Sequence, residues 1–230
     1  MHGSVTGGAT TWRKQLPLAR RWALLVVERP GFGTCPPVGE RVDFAIDAPL
    51  VAQVLGDGAH LVGQSYGGVV SLLAAAQRPE AVRSLTVIEP PAFAVAAGNA
   101  AADEFVSRSK ELWATGPEDP SAFLPLFLDL VGAPQPAQLS PELLQGAHLL
   151  RTERGPWEAE IPLDELAAAS FPKLVVSGAH DPAFDAVCDV LERRLGAERA
   201  VIPGADHSVQ RTEAPFNERL EAFLLERAPE

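Results

Sequence analysis

A serine flanked by glycines is the residue whose setting points most directly to chemistry. The segment Gly63-Gln64-Ser65-Tyr66-Gly67 follows a short apolar run and precedes an apolar helical pattern. A nucleophilic serine must stand clear of the backbone at the end of a strand, and the strained turn that achieves this needs small flanking residues. The following helix directs its N-terminal N–H groups at the reaction centre. The segment therefore predicts a nucleophile at Ser65, with a helix-capping serine in a tight turn as the alternative.

A nucleophilic serine needs further groups around it. Its hydroxyl is weak at neutral pH without an adjacent base, and the base needs a carboxylate that fixes its tautomer. The chain has five histidines, and two carboxylates stand just after predicted strands, Glu89 and Asp181. The backbone N–H of Tyr66, directly after the serine, is a natural donor to the oxyanion of a tetrahedral intermediate.

Five short apolar runs predict the strands that must position these residues. Each has the length and apolarity expected of a strand buried on both faces of a parallel sheet. Helical patterns alternate with them, at 44–55, 66–77, 183–195 and 216–227, and this order favours right-handed crossovers. The predicted strands are 22–27, 59–63, 85–88, 174–176 and 199–202.

The stretch 92–171 interrupts this alternation because it contains helical patterns and no clear strand. Ser140 followed by Pro141 is typical of a helix start, with an N-cap serine and proline at the first helical position. We interpret the stretch as a helical cap over a pocket, with a structural crossover as the alternative. The predicted domains are thus a core of 1–91 and 172–230 and a cap of 92–171. The expected cap helices are 103–115, 121–131, 140–154 and 163–170.

Together these segments resemble the α/β-hydrolase superfamily over nearly the whole chain. The combination of motifs, in this order and spacing, is more specific than any one of them. The resemblance implies an α/β fold, a mostly parallel sheet flanked by helices, that hydrolyses an ester or similar acyl bond without a metal or organic cofactor. The matching segments are His2-Gly3-Ser4, Arg29-Pro30-Gly31-Phe32-Gly33, the turn at Ser65, Val87-Ile88-Glu89-Pro90-Pro91, Ser177-Gly178-Ala179-His180-Asp181 and Gly204-Ala205-Asp206-His207-Ser208.

The resemblance also implies roles for individual residues. His207, after the last predicted strand, is the expected base, and Asp181 gives the chain order Ser, Asp, His of this fold. Glu89 is the rival acid, because some relatives carry the acid after the preceding strand. Ser4 is the second expected oxyanion donor, besides Tyr66. The other four histidines are expected to be structural, loop or cap residues: His2, His60, His148 and His180.

Several activities share this set of residues. A carboxylic-ester hydrolase is the leading hypothesis, and a thioesterase, a carbon–carbon bond hydrolase and a cofactor-free perhydrolase stay open. Dehalogenase and epoxide-hydrolase chemistry is disfavoured, because those relatives carry an aspartate where this chain has Ser65. A non-catalytic ligand-binding protein is the alternative from another class, and the presence of Ser65, His207 and Asp181 argues against it.

Composition restricts the partners. The net charge is 19 − 30 = −11 and no basic stripe is present, which excludes a nucleic-acid partner. Cys35 and Cys188 are too few and too far apart for a disulfide scaffold or a metal site. No apolar run has the length of a membrane span or a signal peptide. We therefore expect a cytoplasmic protein that acts on a small acyl substrate, away from membranes.

The sequence departs from the family at its N-terminal end. The family usually has two edge strands and a central strand before its His-Gly pair, which here is His2-Gly3. Three explanations are open: a start downstream of the true one, which we favour, a reduced fold, or a strand from another chain in a homo-oligomer. The missing strand would leave the Ser4 loop without an anchor. We expect an N-terminal extension with the upstream-encoded residues to raise the melting temperature.

Overall fold

Four parallel strands form the sheet of the computed structural model, which describes residues 1–226 of the chain. Their spatial order equals their chain order, β1-β2-β3-β4, and all three pairings are parallel. Nearly every residue of the two central strands is buried, because helices cover both faces of the sheet. The prediction of a parallel α/β sheet is confirmed. The strands are β1 Ala59–Gln64, β2 Val82–Ile88, β3 Lys173–Ser177 and β4 Glu198–Val201.

Helices lie between successive strands, as the sequence predicted. The helix after Ser65 is strongly apolar and is buried on nearly all sides. The predicted end of the last helix at 227 and the last residues of the predicted core lie outside the described residues. The α-helices are α1 Gly8–Thr11, α2 Phe44–Val54, α3 Tyr66–Gln77, α4 Ala100–Thr115, α5 Pro120–Leu130, α6 Pro141–Thr152, α7 Leu163–Ala168, α8 Pro182–Leu195 and α9 Ala214–Leu225. Shorter 3₁₀ helices are Arg13–Arg20, Pro79–Ala81, Phe93–Ala96, Pro156–Glu158 and Val209–Thr212.

The stretch 92–171, here named the cap segment, contains α4 to α7 and no strand in its described residues. Polar side chains start its helices, since Asn99 and Asp119 accept hydrogen bonds from the first N–H groups of α4 and α5. Ser140 caps α6 by accepting from Leu143 N at 3.2 Å, as its sequence pattern predicted. An apolar cluster that includes Phe123 packs the cap segment against Val5 of the core. The helical nature of the cap segment is thus confirmed, whereas its status as a separate domain stays a prediction.

The predicted strand at 22–27 is wrong. These residues form no regular secondary structure and pair with no strand of the sheet, and Leu25 is 72% exposed. A groove of about 390 Å³ is lined by this segment and by β1. Within the described residues, no strand pairs with the apolar run. Met1 is hydrogen-bonded along β1 at this groove, where its carbonyl accepts from Gln64 N at 3.1 Å and its amino group donates to the Val62 carbonyl.

Cys35 and Cys188 are both free thiols, and burial raises the pKa of Cys188. Across residues 1–226, none of the helices combines the length and apolarity that a bilayer span requires. The cellular compartment stays a prediction.

Candidate active site

The turn at Ser65 has the strained geometry that the sequence predicted. Ser65 connects β1 to α3 with φ 52° and ψ −128°, a backbone conformation that costs a non-glycine residue roughly 1–3 kcal/mol. A Cβ atom at Gly63 would collide with the Gly67 carbonyl, and one at Gly67 would collide with the His2 carbonyl. The turn also donates a 2.9 Å hydrogen bond from Ser65 N to the Ile88 carbonyl at the end of β2. These contacts hold the serine in one position.

Three side chains form a hydrogen-bonded chain that ends at Ser65. His207 Nε2 lies 2.9 Å from Ser65 Oγ, and His207 Nδ1 lies 2.8 Å from Glu89 Oε2. All three residues are buried. A carboxylate that accepts from Nδ1 leaves Nε2 free to accept the serine proton, which is the arrangement a general base needs. The structure thus brings together Ser65 and His207 as predicted, with the rival carboxylate as the third member.

Asp181 is not the partner of His207, and this corrects the sequence-based expectation. Its carboxylate accepts a 2.7 Å hydrogen bond from Ala183 N and caps α8. The alternative of a helix-capping aspartate is therefore what the structure shows. Glu89 follows the neighbouring strand β2 with a φ of 42°, and this strained backbone together with its longer side chain directs its carboxylate to His207.

Glu89 is an ionised group in a buried place. Its side chain is inaccessible, and besides His207 it accepts from Gly178 N at 2.7 Å and from His180 Nδ1 at 3.1 Å. Burial opposes ionisation, but hydrogen bonds from His180 and His207 outweigh it and lower the pKa of Glu89 to about 2. Sequence reasoning expected His180 to be a loop residue and missed this contact, for which its position after β3, the neighbour of β2, was the available signal.

Glu89, His180 and His207 are also the residues that could hold a metal ion, since their ligand atoms lie within 4.8 Å of one another. Both Nδ1 atoms, however, already face the carboxylate at hydrogen-bond distance. The hydrogen bonds account for the cluster without a cation. The expected absence of a metal or organic cofactor stays a prediction.

A buried ionic network anchors the loop that carries Ser4. Arg29 is fully buried and donates to Asp47 Oδ2 at 2.7 Å, to Glu153 Oε1 at 3.1 Å and to the Gly3 carbonyl at 3.0 Å. Glu153 also accepts from the Ser4 hydroxyl. Burial raises the pKa of Glu153 despite the guanidinium beside it. The expectation that nothing anchors this loop is wrong, because Arg29 and the cap segment hold it.

The two expected oxyanion donors lie at the same cavity. Ser4 and Tyr66 line it together with Ser65 and His207, and Gly3 packs against Ser65, where an added Cβ would lie 2.9 Å from the serine Cβ. The Tyr66 phenol is used elsewhere, since its oxygen accepts from Phe44 N at 3.0 Å. Any contribution of Tyr66 to the reaction would therefore come from its backbone N–H, which stays a prediction, as does that of Ser4.

The cavity at Ser65 is narrow and aromatic. Its volume is about 30 Å³, and Glu153 is the only acidic residue that lines it among those described. Among apolar residues of the cap segment, Phe127 and Trp157 line the cavity, whereas Phe123 and Leu124 are buried away from it and Leu126 is exposed. Besides Tyr66, the phenylalanines and tryptophans of the lining are Phe93, Phe105, Trp113, Phe127, Trp157 and Phe184.

The remaining histidines have structural or surface positions, as expected. His2 is buried, and its Nε2 accepts from Arg29 N at 3.0 Å. Burial and the Arg29 charge lower the pKa of His2 well below its ordinary value of 6.5, so it is neutral. His60 contacts Ser84 across β1 and β2, and His148 is exposed on α6.

Comparison with known proteins shows the family to which the chain belongs. Residues 1–219 match the model of the family described as the alpha/beta hydrolase family. A pimeloyl-[acyl-carrier protein] methyl ester esterase from Aeromonas hydrophila is 39% identical over 97 residues, which are 40% of this chain and 37% of that protein. A putative carbamate hydrolase, RutD, from Azorhizobium caulinodans is 35% identical over 132 residues, 53% of this chain and 47% of that protein. Both matches therefore span less than half of the relative's length.

Solved structures share the fold over almost the full chain. MenH from S. aureus superposes with a TM-score of 0.72 at 17% identity and covers 99% of this chain and 92% of its own. NosK from Streptomyces actuosus has a TM-score of 0.66 at 22% identity, with 99% and 96% covered. At these identities the similarity establishes the fold alone.

Proposed function

Because this chain belongs to the alpha/beta hydrolase family, we propose that it hydrolyses carboxylic esters through an acyl-enzyme on Ser65. The observation that carries the proposal is the continuous contact from Glu89 through His207 to Ser65, at 2.8 and 2.9 Å. The esterase name of the Aeromonas relative and the carbamate hydrolase name of the Azorhizobium relative support the same class of acyl transfer.

The first half of the reaction acylates the enzyme. His207 Nε2 takes the proton of the Ser65 hydroxyl while Oγ attacks the ester carbonyl, and the buried carboxylate of Glu89 stabilises the resulting imidazolium. The tetrahedral intermediate collapses when His207 gives that proton to the leaving alcohol. In the second half, His207 takes a proton from water as the water attacks the acyl carbonyl. The acyl–Oγ bond then breaks, His207 returns the proton to Ser65 Oγ, and the acid product leaves.

The oxyanion of each tetrahedral intermediate needs donors opposite the nucleophile. The N–H groups of Tyr66, at the start of α3, and of Ser4 border the cavity beside Ser65 and are the candidates. One such donor is worth about 3 kcal/mol of transition-state stabilisation. The N-terminal end of α3 adds its positive dipole end at the same place.

The cavity favours a short, uncharged acyl group. Its lining is rich in aromatic residues, and Glu153, the acidic residue in it, is already paired with Arg29 and Ser4. A cavity of about 30 Å³ holds few atoms beyond the reacting carbonyl. A charged or long acyl chain would have to displace the cap segment or leave its charge unpaired.

A chain-length series tests the proposal. We expect kcat/KM for p-nitrophenyl esters to fall by at least tenfold from acetate to octanoate, and Ser65→Ala to abolish turnover of both. Ser107→Ala, at an exposed position of α4, is a matched control that should leave both rates unchanged. Hydrolysis that survives Ser65→Ala would overturn the proposed mechanism, and a preference for octanoate would overturn the proposed substrate class.

A further inference from the structure

His180 has two hydrogen-bond acceptors on opposite sides of its ring. Its Nδ1 lies 3.1 Å from Glu89 Oε1, and its Nε2 lies 3.2 Å from the carbonyl oxygen of Val131. A carbonyl can only accept, and so can an ionised carboxylate. A neutral imidazole has one donor nitrogen and could satisfy only one of the two contacts. Both contacts are hydrogen bonds only when both ring nitrogens carry protons.

The surroundings of the ring favour that charged form. Burial opposes protonation, but the hydrogen bond and charge of Glu89, the Val131 carbonyl and the nearby Asp181 outweigh it and raise the pKa of His180 above 6.5. Phe184 stacks on the ring with centroids 5.7 Å apart, and His207 lies 5.9 Å away. Glu89, His207 and Asp181 are thus the titratable groups that face His180, whereas the cap segment presents backbone.

The second acceptor belongs to the cap segment. Val131 is the C-cap residue of α5, and Gly132 lies so close to the imidazole that an added Cβ would come within 2.8 Å of His180 Cδ2. The imidazole of His180, in the loop between β3 and α8, therefore contacts the end of α5. A positive charge on His180 therefore links Glu89, which orients His207, with the cap segment, which covers the cavity.

We propose that His180 is a positioning residue that, as an imidazolium, links Glu89 to the carbonyl end of α5 and holds both in place for the reaction at Ser65. Its consequences for rate rest on the proposed function. Its positive charge also partly offsets the Glu89 carboxylate beside His207. Removing that charge favours protonated His207, which is inactive as a base, so the acid limb of the pH–rate profile should move to higher pH.

The pH dependence of stability has a defined sign. Because folding raises the pKa of His180, the stabilising contribution of the link is fully present below about 6.5 and is lost as the pH rises through the folded value. The melting-temperature difference between the natural protein and His180→Gln should therefore be largest near pH 6 and shrink toward pH 9. A neutral packing role would give a difference independent of pH.

Kinetics and stability of two variants test the proposal. We expect His180→Gln to raise the midpoint of the acid limb of kcat/KM by about one pH unit, since a unit charge about 6 Å away acts across a partly screened interior. His148→Gln, the same substitution at an exposed position of α6, should change neither the limb nor the melting profile. An acid limb that stays or moves downward in His180→Gln would overturn the proposal.

A spectroscopic measurement on the natural protein tests the protonation state of His180 directly, even if the variant does not fold or no ester is cleaved. In protein with ¹⁵N-labelled histidine, the ring of His180 with protons on both nitrogens should predominate at pH 6.5, the ordinary midpoint of an imidazole. A neutral ring with one unprotonated nitrogen would overturn the proposal. Because this readout needs no substrate, failure of the link and failure of the proposed hydrolysis are told apart.

Discussion

The identity of the triad acid gives the sharpest prediction, because the structure offers two carboxylates and a conservative amide replacement for each. In Glu89→Gln the amide oxygen should stay where Gly178 N and His180 Nδ1 donate to it. The NH₂ group then faces His207 Nδ1 and forces that nitrogen to accept. The proton moves to Nε2, which can no longer take the proton of Ser65.

The expected loss follows from this change of tautomer. With the geometry kept and the wrong nitrogen protonated, kcat should fall by about 10³ to 10⁴, or about 4 to 5.5 kcal/mol of transition-state stabilisation. Asp181→Asn is the matched control. Asparagine caps helices about as well as aspartate, so the contact with Ala183 N survives and kcat should stay within about threefold.

The assay is steady-state hydrolysis of p-nitrophenyl acetate by both variants, with urea unfolding as a check that each is folded. Cooperative unfolding of both variants at urea concentrations well above those of the assay, with a large kcat loss in Glu89→Gln alone, is the expected result. A larger loss in Asp181→Asn would refute the assignment, because it would mean that the capping carboxylate, not Glu89, orients His207.

Three further predictions concern the surroundings of this chain of contacts. Ser4→Pro removes the backbone N–H proposed as an oxyanion donor and should lower kcat by about 10² to 10³. Ser4→Ala keeps that N–H and should leave kcat nearly unchanged. Equal effects of the two substitutions would exclude the backbone donor. Arg29→Met removes the guanidinium that pairs with the buried carboxylates of Asp47 and Glu153, so it should lower the free energy of unfolding by about 3–5 kcal/mol in urea titrations. A loss under 1 kcal/mol would contradict the ionic role of Arg29. Folding lowers the pKa of Glu89 from 4.5 to about 2, so the ionised carboxylate contributes roughly 3 kcal/mol of stability above pH 4.5, which is lost toward pH 2. Urea midpoints should therefore fall more steeply with acid in the natural protein than in Glu89→Gln. Parallel curves for the two proteins would argue against this contribution of Glu89.

The parts of the site that local sequence specifies were predictable. The turn at Ser65 needs small residues within two positions on either side, so its motif is contiguous and its strained backbone follows from it. His207 could be placed because it follows the last strand of an alternating pattern. The four paired strands were recognised for the same reason, since short apolar runs between helices belong to parallel sheets.

The acid could not be chosen from sequence because β2 and β3 are neighbours that end at the same edge of the sheet. Both Glu89 and Asp181 follow these strands, and only the backbone angles after each strand decide which carboxylate faces His207. The contact of Glu153 with Arg29 joins residues 124 positions apart, and nothing local marks it. The apolar run at 22–27 has the composition of a strand, but a strand also requires a partner, which composition does not reveal.

Covalent labelling by a fluorophosphonate tests the central claim most directly, because it reports an activated serine without knowledge of the substrate. Intact-protein and peptide mass spectrometry should show one adduct, on Ser65, that is absent in Ser65→Ala and strongly slowed in Glu89→Gln but not in Asp181→Asn. No adduct on the folded natural protein, or an adduct on another residue, would contradict the claim that Glu89 and His207 activate Ser65.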